Sequence, residues 1–105
     1  MEQPNLLYIH SMSGGDKAFE KKLIDIIKEE FPKEKQVYFK NSTSKNFKAT
    51  AEIVHKLKHK ISIFGLIASY ELAVNYEHNL LENSVEGEKD FESVLQLITD
   101  FLKTL

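Results

Sequence analysis

Apolar residues recur along this chain at spacings of three and four, and no stretch sustains the alternation of a half-buried strand. A short first helix is predicted from Asn5 to Ser11, carrying Leu6, Leu7, Tyr8 and Ile9. Ser13-Gly-Gly-Asp16 then breaks the chain and restarts it, with Ser13 or Asp16 placed to accept N–H bonds at the new helix N-terminus. The second helix shows Phe19, Leu23, Ile26, Ile27 and Phe31. Pro32 must kink or restart it, and Val37 and Phe39 extend it to about Lys40. Asn41-Ser-Thr-Ser44 reads as a polar turn with several candidate N-caps. A third helix runs from about Lys45 to Ser62, with Phe47, Ala51, Val54, Leu57 and Ile61 as its stripe. The fourth begins near Gly65 or Leu66, uses Leu66, Tyr70, Ala73, Glu77, Leu80 and Leu81, and ends in Asn83 to Gly87. A last helix from about Glu88 buries Phe91, Val94 or Leu95, Ile98, Phe101 and Leu102. Regular stripes joined by short polar turns predict an all-α protein, an antiparallel four-helix bundle with a short additional N-terminal helix.

Composition narrows the function more than the fold. A chain of 105 residues makes one domain around one core. The net charge of -2 gives no global field of the kind that marks a nucleic-acid binder. All 14 basic residues are lysine, so the forked guanidinium that reads guanine or clamps phosphate is missing. The absence of cysteine removes disulfides, thiolate zinc sites and cysteine nucleophiles. The N-terminal Met-Glu-Gln-Pro-Asn-Leu-Leu lacks the pattern of a signal peptide, and the apolar stretch from Ile61 to Ala68 is too short to span a bilayer. A cytoplasmic monomer that binds neither nucleic acid nor membrane is expected.

The third helix carries the candidate chemistry. Its sequence Ile53-Val-His-Lys-Leu-Lys-His-Lys-Ile61 sets His55 among Lys56, Lys58 and Lys60. At about 100° per residue, His55 falls roughly 100° from the centre of the apolar arc, at the edge of the buried face. Lys58 lies about 60° away and one turn on, placed to rest its stem on apolar surface and lift its ammonium beside the imidazole. His59 is one turn along on the more exposed side, and Lys56 and Lys60 are expected to project into solvent. Nearby ammonium groups disfavour the imidazolium and favour an anion attached to the ring. A phosphoryl group meets both conditions. The plainer alternative is a solvated lysine face that includes a histidine.

At these residues the chain resembles the histidine-containing phosphotransfer (HPt) domain of two-component phosphorelays. That family carries its phosphorylated histidine in His-x-x-Lys-Gly, with a second Gly about ten residues after the histidine. His55-Lys-Leu-Lys58 matches the first part and Gly65 the later glycine. Ser-Gly-Gly-Asp16-x-x-Phe19 is similar to the opening of the family's second helix, and Tyr76-Glu77 falls where an apolar-Glu pair is common. The resemblance covers nearly the whole chain. It implies that His55 accepts a phosphoryl group from a response-regulator receiver-domain aspartate, or from the receiver of a hybrid histidine kinase, and transfers it onward or back. It implies that Lys58 stabilises the phosphoryl oxygens, with Lys56, His59, Lys60 and Ser62 flanking the site and Gly65 structural near it. No cofactor is bound by this chain on that reading, and Mg2+ belongs to the partner receiver. One departure is plain: the family glycine after the motif lysine is His59 here. An imidazole there hinders the receiver, turns outward or hydrogen-bonds the phosphoryl group, which keeps open a degenerate HPt-like domain that binds a receiver or kinase without being phosphorylated.

Other signals carry less. His55 and His59 form His-x-x-x-His, but position 56 is Lys rather than the metalloprotease Glu, and the surrounding lysines oppose a dication, so no metal site is expected. Ser13-Gly-Gly-Asp-Lys17 lacks the spacing of a phosphate loop and reads as a cap. His10 and His78 read as boundary residues. Ile63, Phe64 and Ile67 either pack within the inter-helix turn or form an apolar patch beside His55 that docks a partner. A face of lysines that binds acidic partners or lipid headgroups is the competing reading of the same surface.

Overall fold

The computed structural model describes residues 2–105 and shows, among them, five helices and no strand. They are α1 (Leu7–Ser13), α2 (Lys17–Thr43), α3 (Phe47–Ile63), α4 (Ile67–Leu81) and α5 (Glu88–Leu102). Helix starts follow the short polar side chains. Asp16 Oδ1 accepts the Phe19 N–H at 3.1 Å and opens α2, as the sequence anticipates. Asn46 Oδ1 accepts the Ala49 N–H at 3.2 Å and opens α3. The polar run Asn41–Ser44, expected as the turn before α3, instead completes the last turn of α2 and its C-cap. Pro32 lies within α2 on its exposed side, so the helix gives up one backbone bond and does not restart.

The core is set by helical phase. In α3 the expected Ala51, Val54, Leu57 and Ile61 are buried, joined by Thr50 and Ile53, while Phe47 in the first turn is half-buried. In α5, Phe91, both Val94 and Leu95, Ile98 and Leu102 are buried, while Phe101, expected among them, is half-buried. In α2 the buried residues are Ile27, Phe31 and Tyr38, while Phe19, Ile26, Val37 and Phe39 are exposed. Position 38 is in phase with 27 and 31, and its two apolar neighbours flank it by about 100° each. In α4 the buried residues are Ser69, Ala73, Tyr76 and Leu80; Leu81 faces solvent and Glu77 turns toward α3. Emptying a fully buried position such as Leu57 to alanine costs about 2–5 kcal/mol.

One polar cluster crosses this core. The Tyr38 hydroxyl donates to Glu92 Oε2 at 2.8 Å and lies 2.9 Å from the Tyr76 hydroxyl. Burial raises both phenols, Tyr38 well above the ordinary tyrosine range, and the neighbouring Glu92 carboxylate adds to it.

The turn between α3 and α4 is fastened by the N-terminal segment. Gly65 has a φ of +75°, and a Cβ there would stand 2.7 Å from Asn5 Nδ2. The Asn5 N–H donates to the Phe64 carbonyl at 2.9 Å. Helix α4 has no capping side chain of its own, and the Glu2 carboxylate accepts the Ser69 N–H at 2.7 Å. Burial alone raises the Glu2 carboxyl, but hydrogen bonds from the Ser69, Ala68 and Ile67 backbone and the Ser69 hydroxyl outweigh it and hold the group below its usual range. Among the described residues, no helix is long and apolar enough to cross a membrane.

Candidate functional site

His55 sits midway along α3, in the helix fixed by the Asn46 cap and the buried Val54 and Leu57 on either side of it in sequence. Its side chain is 55% exposed. Across the α3–α4 interface, Glu77 reaches it from α4. Glu77 Oε2 lies 3.0 Å from His55 Nδ1, and Glu77 Oε1 accepts from Lys58 Nζ at 2.8 Å. One carboxylate thus ties the imidazole and the ammonium together, and both of its oxygens are used. Glu77 and Lys58 are mostly covered, at 18% and 12% exposure, so their ion pair is better shielded than a surface one.

This geometry sets the tautomer. An ionised carboxylate only accepts hydrogen bonds, so His55 Nδ1 carries the ring proton and donates it to Glu77. In the neutral ring Nε2 then holds the free lone pair, which makes it the nucleophile. Lys58 is joined to the ring through Glu77. Its ammonium occupies the far oxygen of Glu77, balancing the carboxylate, and an ammonium has two further donors to offer.

The remaining expected residues divide. His59 packs edge-on against His55, with ring centroids 5.2 Å apart and planes at 87°. Lys56 and Ser62 are exposed on the same helix. Lys60 does not project into solvent: it is 12% exposed and turned toward α2, 3.2 Å from Glu30 and 3.0 Å from Glu34. Five residues from His55 is about 140° around the helix, which carries Lys60 to the α2 side. Gly65 closes α3 and turns the chain, with the N-terminal Asn5 as the group it admits closely. The apolar trio splits, with Phe64 buried, Ile63 half-buried and Ile67 75% exposed. His10 pairs with Glu20 at 2.7 Å and His78 with Glu82 at 3.4 Å, both away from His55 in sequence and on other elements.

Compared with family models, curated proteins and solved structures, the chain finds no match. The chemistry of the site therefore rests on its geometry. Glu77 is the residue that periodicity alone misassigns. It falls among the apolar positions of α4, and a glutamate in a buried stripe needs a cationic or hydrogen-bonding partner. That partner lies 22 residues away.

Proposed function

We propose that this protein is a phosphoryl carrier of the HPt kind, with α2 to α5 as its antiparallel four-helix bundle and α1 as the short additional helix. The observation that carries the reading is the shared carboxylate: Glu77 orients His55 through Nδ1 and holds Lys58 beside it. His55 Nε2 attacks the phosphorus of a receiver-domain aspartyl phosphate. The P–N bond forms as the P–O bond to the aspartate breaks, and the aspartate leaves as a carboxylate. The Nδ1 proton stays on the ring, where Glu77 stabilises the positive charge that develops. Lys58 offers its remaining donors to the phosphoryl oxygens. The partner receiver supplies Mg2+ and the acidic pocket, and the carrier itself is a cytoplasmic monomer.

Incubation with phosphorylated receiver domains tests this. Label should appear on the protein, survive base, be lost in acid, and vanish in His55→Gln. Label that persists in a folded His55→Gln protein refutes the assignment.

The second reading has its own observation. The His59 ring lies against His55 where the resemblance has glycine. On that reading the domain binds a receiver without accepting phosphate, and His59→Gly restores labelling that the native chain lacks.

A further inference from the structure

We propose that His55 and His59 together form a chelating site for a divalent ion that favours nitrogen donors, with Zn2+ and Ni2+ as representatives. Three observations support it. The two imidazoles are four residues apart on one helix, with centroids 5.2 Å apart. With metal–nitrogen bonds of about 2.0–2.1 Å and tetrahedral angles, two imidazole rings sharing one ion have centroids about 5 Å apart. The spacing therefore suits one shared ion without movement of the helix, with His59 turning to meet it while His55 keeps its bond to Glu77.

The second observation is Glu77. A metal-ligating imidazole commonly donates its other nitrogen to a carboxylate, which fixes the tautomer and raises the basicity of the ligating nitrogen. His55 Nδ1 already makes that bond, leaving Nε2 for the ion. The third concerns charge. Lysines around the pair argue against a dication on sequence grounds, yet Lys58 is neutralised by Glu77 and Lys60 by Glu30 and Glu34. Of the three lysines nearest the pair in sequence, that leaves only the exposed Lys56. Among the described residues no third ligating side chain joins them, so water or a partner's side chain completes the coordination. Imidazole pairs of this kind select Zn2+, Ni2+ or Cu2+ over the oxygen-seeking Mg2+ and Ca2+.

Because the ion takes Nε2, it occupies the nitrogen that accepts phosphate. This consequence rests on the phosphocarrier reading; the site itself does not. Calorimetric titration of the full chain with ZnCl2 or NiCl2, alongside imidazole NMR, separates the two. One ion should bind per chain, the His55 and His59 resonances should shift together, and affinity should fall at least tenfold in both His55→Gln and His59→Gln. MgCl2 should leave these resonances unmoved. Wild-type affinity in His59→Gln, or shifts confined to His10 or His78, overturns the site. Zn2+ should also protect wild type from labelling by a phosphorylated receiver while His59→Gln is still labelled at the same Zn2+ concentration. Equal labelling of Zn2+-bound wild type overturns the blocking role. A metal-free chain that no receiver labels, but that binds Zn2+ through both rings, removes the phosphocarrier reading and leaves the metal site standing.

Discussion

Replacing Glu77 by glutamine separates orientation from mere packing at His55. The two side chains have the same shape, but an amide has one accepting and one donating end. If its oxygen accepts from His55 Nδ1, its NH2 faces the Lys58 ammonium; if it flips, the NH2 faces the ring proton. One of the two contacts is lost either way. A hydrogen bond to a charged group contributes about 1.5–3 kcal/mol. Were all of it expressed at the transition state, the rate of phosphohistidine formation would drop about ten- to a hundredfold. The loss in folding stability should be about 1–3 kcal/mol, set by the covered Lys58 losing its countercharge rather than by the half-exposed His55. Initial labelling rates from a phosphorylated receiver measure the first quantity, and thermal denaturation the second. Long-range imidazole 15N spectra read the tautomer directly: wild type should carry its proton on Nδ1, and Glu77→Gln should show a mixture. A wild-type ring protonated on Nε2, or a folded Glu77→Gln protein labelled at the wild-type rate, refutes the orienting role.

Other consequences concern the scaffold. Lys60→Met should destabilise the fold by about 1–3 kcal/mol while leaving His55 labelling unchanged, because it strands the covered Glu34, whose Oε1 already has no partner; a labelling defect with an intact fold would return Lys60 to the site. Gly65→Ala should cost about 1–2 kcal/mol, chiefly because alanine resists the left-handed backbone, and lower Tm by several degrees; an unchanged Tm would show that the turn relaxes freely. For Tyr38 and Tyr76, burial raises both hydroxyls in the folded state, so the unfolded chain releases their protons first. Their contribution is full below about pH 10 and is lost as pH rises beyond it. Denaturant midpoints measured upward from pH 9 should fall less steeply in Tyr38→Phe, and parallel curves would contradict this.

How far the sequence speaks depends on the element. Most of the α3 stripe and the α5 core is legible because the residues it names share one phase, although Phe47 and Phe101 end half-buried and Ile53, outside the α3 stripe, is buried. In α2 the eye follows the apolar letters Val37 and Phe39, whereas phase from Ile27 and Phe31 selects Tyr38 between them. In α4 the stripe drawn through Tyr70, Glu77 and Leu81 is one residue out of phase with the buried Ser69, Tyr76 and Leu80, and the hydrogen bonds that let Ser69 and Tyr76 be buried come from other parts of the chain. His55 stands out from its neighbours on α3 alone. Its contact with Glu77 does not, because periodicity orders residues on one helix and is silent on which residue of the next helix comes opposite. Lys60 fails for a related reason: it faces α2, and its partners Glu30 and Glu34 look like solvated charges when read one helix at a time.

The N-terminal fastening has a kinetic side. Glu2 and Ser69 are 67 positions apart, and Asn5 and Phe64 are likewise distant in sequence. Closing a loop of that length in a free chain costs about 3–4 kcal/mol of entropy beyond a constant, whereas the neutral Asn5 bond contributes about 0.5–1.5 kcal/mol and the bond to the Glu2 carboxylate about 1.5–3 kcal/mol, neither enough alone. Residues 2–5 therefore have nothing to hold until α3 and α4 have already folded against each other. They join last and let go first. Glu2→Gln should accordingly hasten unfolding in stopped-flow measurements and leave the refolding rate nearly untouched; a slowed refolding limb would place this contact in the nucleus instead.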